Sequence, residues 1–143
     1  MASDPQHKTV VVYSIGHSSH SLEDLLALLR EHGIAALADV RSQPYSRWTP
    51  QFNRETLARA LEREGVRYLY LGDALGGRPT DPSLYHAAAD DDAHGPRPDY
   101  DRMAAAPAFE EGLRQLIAVA AQHPTAMMCS EGDHEHCHRA LLI

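Results

Sequence analysis

The chain has 143 residues, 43% of them hydrophobic, and a formal net charge of −7 with its ten histidines neutral. That is the length and composition of one globular domain with a core of its own, and the charge argues against a basic nucleic-acid footprint over the whole surface. No apolar run approaches membrane-spanning length, and the N-terminus, Met1 to Lys8, is polar without a signal-peptide core, so a cytoplasmic protein with no membrane partner is expected.

Residues 1–8 read as a flexible N-terminus and 9–143 as a single α/β domain. Thr9-Val10-Val11-Val12-Tyr13-Ser14-Ile15 is an almost unbroken β-branched and apolar run, the pattern of a strand covered on both faces. Gly16-His17-Ser18-Ser19-His20 follows as a turn. Ser21 is placed to cap a helix whose Leu22, Leu25, Leu26 and Leu29 share one face, and Gly33 to end it. The unit then repeats. Residues 34–40 form a second buried strand, Arg41 to Gln51 a proline-containing loop, and Asn53 caps a helix that Gly65 stops. Residues 66–71 are a third strand. The stretch from Thr80 to Asp99, with Asp90-Asp91-Asp92 and Gly95-Pro96-Arg97-Pro98, is read as a mobile loop. Pro107 opens a third helix with an apolar stripe of Phe109, Leu113, Leu116, Ile117 and Ala120, and residues 125–129 make a fourth strand. This alternation predicts a three-layer, Rossmann-like α/β sandwich around a mainly parallel sheet. Ala140-Leu141-Leu142-Ile143 reads as a helix start without a stop, so the C-terminal part of the domain is expected to be truncated.

Ligands of open parallel sheets gather at the carboxyl ends of the strands. Here those ends are Gly16-His17-Ser18, Asp39-Val40-Arg41-Ser42, Leu71-Gly72-Asp73 and Cys129-Ser130-Glu131, all polar or glycine-bearing. Cys129 closes an apolar strand ahead of an expected helix N-terminus, where helix amides and arginines lower a thiol pKa. Cys129 is therefore the expected nucleophile, with His17 and Glu131 as further catalytic candidates. A buried structural cysteine is the plainer alternative. Arg41, Arg47 and Arg139, with Ser18, are candidates to bind an anion such as phosphate. Asp39 either orients an arginine or caps the turn after its strand. Trp48, Phe52 and the tyrosines are able to stack a flat ligand, although residues of these types serve more often as core or loop anchors.

Cys129, His134, His136, Cys137 and His138 also form an alternative metal-ligand set, for which zinc is the first choice. The C-x7-C spacing is not that of a standard finger, and adjacent Cys137 and His138 do not readily face one ion from a helix. Gly72 to Gly77 lacks the lysine-serine/threonine ending of a P-loop, and the first strand–helix turn carries no G-x-G-x-x-G, which argues against ATP and NAD in their familiar binding modes.

Tyr13-Ser14-Ile15-Gly16-His17-Ser18, Asp39-Val40-Arg41-Ser42-Gln43-Pro44, Pro50-Gln51-Phe52-Asn53, Leu75-Gly76-Gly77-Arg78-Pro79, and Cys129-x-Glu131 with Cys137-His138-Arg139 resemble the domain-of-unknown-function 488 (DUF488) family. The resemblance runs from about Tyr13 to the last residue and implies a prokaryotic cytosolic protein with a shared ligand site at these motifs. It implies no reaction. Two function classes remain: an enzyme using Cys129 on an anionic, phosphate-containing substrate, nucleotide- or nucleic-acid-derived, and a non-catalytic metal- or ligand-binding module. The expected partner is a small anionic or nucleotide-like ligand, while broad duplex binding conflicts with the acidic charge.

Overall fold

The computed structural model describes residues 9–86, 97–131, 139 and 142–143. Within them a four-stranded sheet, all parallel, carries strand order β1-β4-β2-β3. The strands are β1 (Val12–Gly16), β2 (Ala36–Asp39), β3 (Arg67–Tyr70) and β4 (Thr125–Cys129). Each lies inside or within one residue of its expected segment. The two central strands are the most buried, with all four residues of β2 inaccessible, as continuous apolar runs in a covered parallel sheet require.

The helices are α1 (Leu22–Glu31), α2 (Arg54–Arg63), a single turn α3 (Gly72–Leu75), α4 (Tyr100–Ala105) and α5 (Pro107–Ala120). The Ser21 hydroxyl accepts from the Asp24 amide and caps α1 as expected. The chain leaves α1 and α2 through Gly33 and Gly65, both at positive φ. Asn53 stands at the N-cap of α2 but caps nothing; its Oδ1 accepts from the Ser46 amide and ties down the preceding loop. Two apolar cores face opposite sides of the sheet. Leu25, Leu29, Leu37, Phe52, Leu57, Leu61, Ala126 and Met128 fill the one beneath α1 and α2. Ala38, Val40, Leu71, Leu75, Phe109, Leu116 and Cys129 fill the one beneath α3 and α5, with Leu142 and Ile143 against it. This is the three-layer arrangement anticipated from the βα alternation.

The segment between β3 and α5 holds more structure than a plain loop. Asp81 caps a 3-10 turn at Pro82–Leu84, Tyr85 bridges Pro98 antiparallel, and the Tyr85 hydroxyl donates to the Pro79 carbonyl. Turn residues and caps hold both described ends, where composition alone suggested loop; residues 87–96, like the N-terminal 1–8, lie outside the described residues. Among the described residues, no helix is long and apolar enough to cross a membrane.

Candidate functional site

Parallel pairing in register brings the strand ends into one row: Gly16 sits opposite Cys129, and Asp39 opposite both Met128 and Tyr70. Beyond the strands the His17 amide donates to the Cys129 carbonyl at 3.0 Å and the Ser18 amide to that of Ser130 at 3.1 Å. His17, Ser18, Asp39, Arg41, Cys129 and Glu131 therefore share the carboxyl edge. Their side chains separate into two groups on opposite faces of the sheet.

The first group lies on the α1–α2 side. Asp39, fully buried, receives two hydrogen bonds from the Arg41 guanidinium, Nε to Oδ1 and Nη2 to Oδ2, both 2.8 Å, and one from the Arg41 amide. The Tyr68 hydroxyl donates to Oδ2 at 2.6 Å. Arg41 Nη2 also donates to the Phe52 carbonyl at 2.8 Å, and Nη1 faces His17 Nε2 at 3.4 Å. The His17 ring stacks on Phe52, centroids 4.5 Å apart. With Nε2 turned toward a donor and Nδ1 2.8 Å from the Ser18 carbonyl, these partners require the neutral ring protonated on Nδ1.

The electrostatics agree. Burial and the Arg41 charge hold the His17 pKa below its ordinary value, against the opposing pull of the Ser18 carbonyl and Asp39. Burial alone would lower the Arg41 pKa, but its hydrogen bonds and charge pairing with Asp39 outweigh this and raise it. Burial, with the neighbouring Asp39 charge, pushes the Tyr68 hydroxyl up. Asp39 thus orients Arg41 in a bidentate pair and, by accepting from the Arg41 amide, also caps the turn after its strand, so both readings of its position hold. Neither residue presents itself to solvent: Arg41 is 7% exposed and His17 4%. Two glycines allow α3 and the residue after it to approach the backbone of the loop after β2. A Cβ on Gly72 would collide with the Arg41 carbonyl, and one on Gly76 with the Ser42 hydroxyl.

The second group lies on the α3–α5 side. Cys129 is 2% exposed, and its Sγ stands 3.4 Å from the Glu131 backbone amide, which donates to it. Arg139, also buried, donates through Nη2 to the Glu131 carbonyl at 2.8 Å and through Nη1 to the Ser14 hydroxyl at 2.7 Å. Arg139 therefore ties the turn after β4 to the edge strand β1. The Glu131 residue is exposed at the rim, and so is Ser18, held in the left-handed region at φ 47. Ser14 was missed by sequence reasoning, although a hydroxyl inside an otherwise apolar strand is the signal that marks it.

The remaining candidates fall elsewhere. Arg47 stacks over the Trp48 ring, 4.8 Å from its centroid, on the exposed loop after β2. Phe52 and Tyr68 are anchors rather than ligand platforms. Of the alternative metal set only Cys129 belongs to the described residues; His134, His136, Cys137 and His138 lie outside them. Among the described residues no three His, Cys, Asp or Glu side chains are grouped to hold a metal ion.

No curated protein and no solved structure matches the chain. A family model does, over residues 21–143, which include α1, the whole Asp39–Arg41 loop and the Cys129 turn. With that match covering most of its length, the chain belongs to the DUF488 family, a domain of unknown function.

Proposed function

We propose that the protein is an enzyme whose nucleophile is the Cys129 thiolate and whose substrate is anionic and phosphate-containing. The observation that carries this reading is the Glu131 amide hydrogen aimed at Cys129 Sγ, in a turn that Arg139 holds by the Glu131 carbonyl. An amide donor favours the thiolate, while burial opposes it. The Glu131 carbonyl also lies 4.0 Å from Sγ, where it accepts from the protonated thiol, so the turn offers the sulfur a partner in either state. In the step envisaged, sulfur forms a bond to an electrophilic atom of the substrate. The leaving group departs with the bonding pair and takes up a proton; water then releases the product and restores the thiol. Glu131, at the exposed rim, is the group assigned to proton transfer. His17 is assigned to positioning, because its ring packs against Phe52 on the other face of the sheet from Cys129.

Alkylation with iodoacetamide across pH, followed by peptide mapping, tests this. Cys129 is expected to be modified below about pH 7.5, where an ordinary thiol with pKa ~8.5 is mostly protonated. Faster modification of Cys137 under those conditions sinks the assignment. Reaction of both cysteines only after addition of a chelator would favour the metal-binding module instead.

A further inference from the structure

The loop from Arg41 to Arg54 closes on itself. The Arg54 amide donates to the Pro44 carbonyl at 2.9 Å, the Ser46 amide to Asn53 Oδ1, and the Ser46 hydroxyl accepts from the Trp48 and Thr49 amides. Gln51 Nε2 donates to the His20 carbonyl and fastens the loop to the turn after β1. A backbone so thoroughly tied nevertheless leaves its largest side chains outside. Trp48 is 80% exposed and Tyr45 55%. Leaving an indole in water forgoes the burial that a Trp ordinarily contributes to a core. The rigid loop holds the ring there, with the Arg47 guanidinium over one face and the other face in solvent.

The charge carried by the loop itself is of one sign. Residues 41–54 carry three arginines and no acid, in a chain of net charge −7. Arg41 is consumed by Asp39, which leaves Arg47 exposed at the tip and Arg54 over the Tyr70 ring, 4.1 Å from its centroid. Glu55 is the adjoining acid, and its carboxylate accepts the Tyr45 hydroxyl at 2.6 Å. An exposed flat ring beside an exposed guanidinium matches a flat, apolar-faced ligand that carries a negative charge next to its ring. A nucleobase with its phosphate has that chemistry.

We propose that the Trp48 tip is a nucleotide-docking platform: a base stacks on the open face of Trp48, and its phosphate is met by Arg47. This rests on the reading of a phosphate-containing substrate and names its class. The ligand is a free nucleotide; a single strand and a protein partner are the competing occupants, since aromatic stacking also serves single-strand binding and Trp, Tyr and Arg also serve as hot spots of protein interfaces.

Trp48 is the chain's single tryptophan, so its intrinsic fluorescence reports the platform alone. The full chain is titrated with inorganic phosphate, with AMP and UMP, and with a short single-stranded RNA. Saturable quenching by the mononucleotides, and none by phosphate, is expected, weakening as salt is raised. Quenching by the RNA but not by the mononucleotides overturns the assignment to a free nucleotide. Trp48→Ala, followed by anisotropy of a labelled ligand, should lose about tenfold in affinity, and Trp48→Phe should recover much of it. Absence of quenching by any nucleotide, or undiminished binding by Trp48→Ala, overturns the proposal. Binding is read without turnover. An inert Cys129 with intact nucleotide quenching would defeat the thiol reading alone, and a reactive Cys129 without quenching would defeat the platform alone.

Discussion

Each of the two faces of the sheet's carboxyl edge buries an arginine, and each arginine fastens a different segment of the chain. On the α1–α2 face Asp39 accepts from Arg41 and Tyr68, and Arg41 donates onward to the Phe52 carbonyl. That is a network of two buried charges and the hydroxyl of the half-buried Tyr68, and it clamps the loop after β2 to the sheet. On the α3–α5 face Arg139 bonds a serine hydroxyl and a backbone carbonyl, and through them it holds a turn around one thiol. The first face uses its arginine to fasten the loop after β2; the second uses its arginine to fasten the turn after β4, in which the Glu131 amide meets the Cys129 sulfur. A buried guanidinium held by a carboxylate fixes structure, and removing either partner leaves the other uncompensated.

That contrast breaks most readily at Asp39. Asp39→Ala leaves Arg41 buried without its counter-charge and should cost about 3–5 kcal/mol in urea unfolding. Cys129→Ala, on the other face, should cost only about 1 kcal/mol while abolishing alkylation at that position. If Asp39→Ala unfolds at the same urea concentration as the parent chain, the clamp is not structural and Arg41 becomes available as a substrate contact.

A smaller effect is expected at Tyr68. Tyr68→Phe removes one hydrogen bond to a buried carboxylate and should cost about 1.5–3 kcal/mol by the same measurement. The double variant with Asp39→Ala should be less destabilised than the sum of the two, because both act on one network. Strict additivity would show that the hydroxyl and the arginine bond Asp39 independently.

The smallest effect is a pH dependence. His17 has a folded pKa below its ordinary 6.5. The unfolded chain therefore binds a proton that the folded chain refuses as pH falls past that value, and stability declines in that direction. Its contribution is complete above about pH 7 and is lost progressively toward the depressed folded pKa. Arg41 and His20 oppose protonation, and Asp39 favours it. His17→Phe should reduce the stability difference between about pH 7.5 and pH 5 relative to the parent chain. An unchanged or larger difference would mean that His17 is accessible and charged, which would return it to the catalytic candidates.

Much of this was legible in the residues. Uninterrupted β-branched runs announced a covered sheet, the Leu22–Leu29 spacing announced α1, and the polar strand ends placed the candidate site at one edge. Arg41 two positions after Asp39 suggested an ion pair, although a simple cap fitted the same spacing. The segment around Pro82 and Tyr85 was harder to read. Its order comes from the Asp81 cap and the Tyr85–Pro98 bridge, contacts that composition does not announce. Asn53 misled in the same way, since its acceptor serves Ser46 across the loop and not the helix that follows it.

By itself the sequence determined the four strands, the three longer helices, their order and the edge where polar groups collect, because periodicity and capping are local properties of the chain, while the short α3 and α4 were not read from it. The tertiary structure decided which of those groups meet. Gly16 pairs with Cys129, so His17 falls one residue beyond the register of the thiol, and successive residues of an extended chain point to opposite faces. That single step in register sends His17 to Phe52 and Arg41, and leaves Cys129 with Glu131 and the turn held by Arg139.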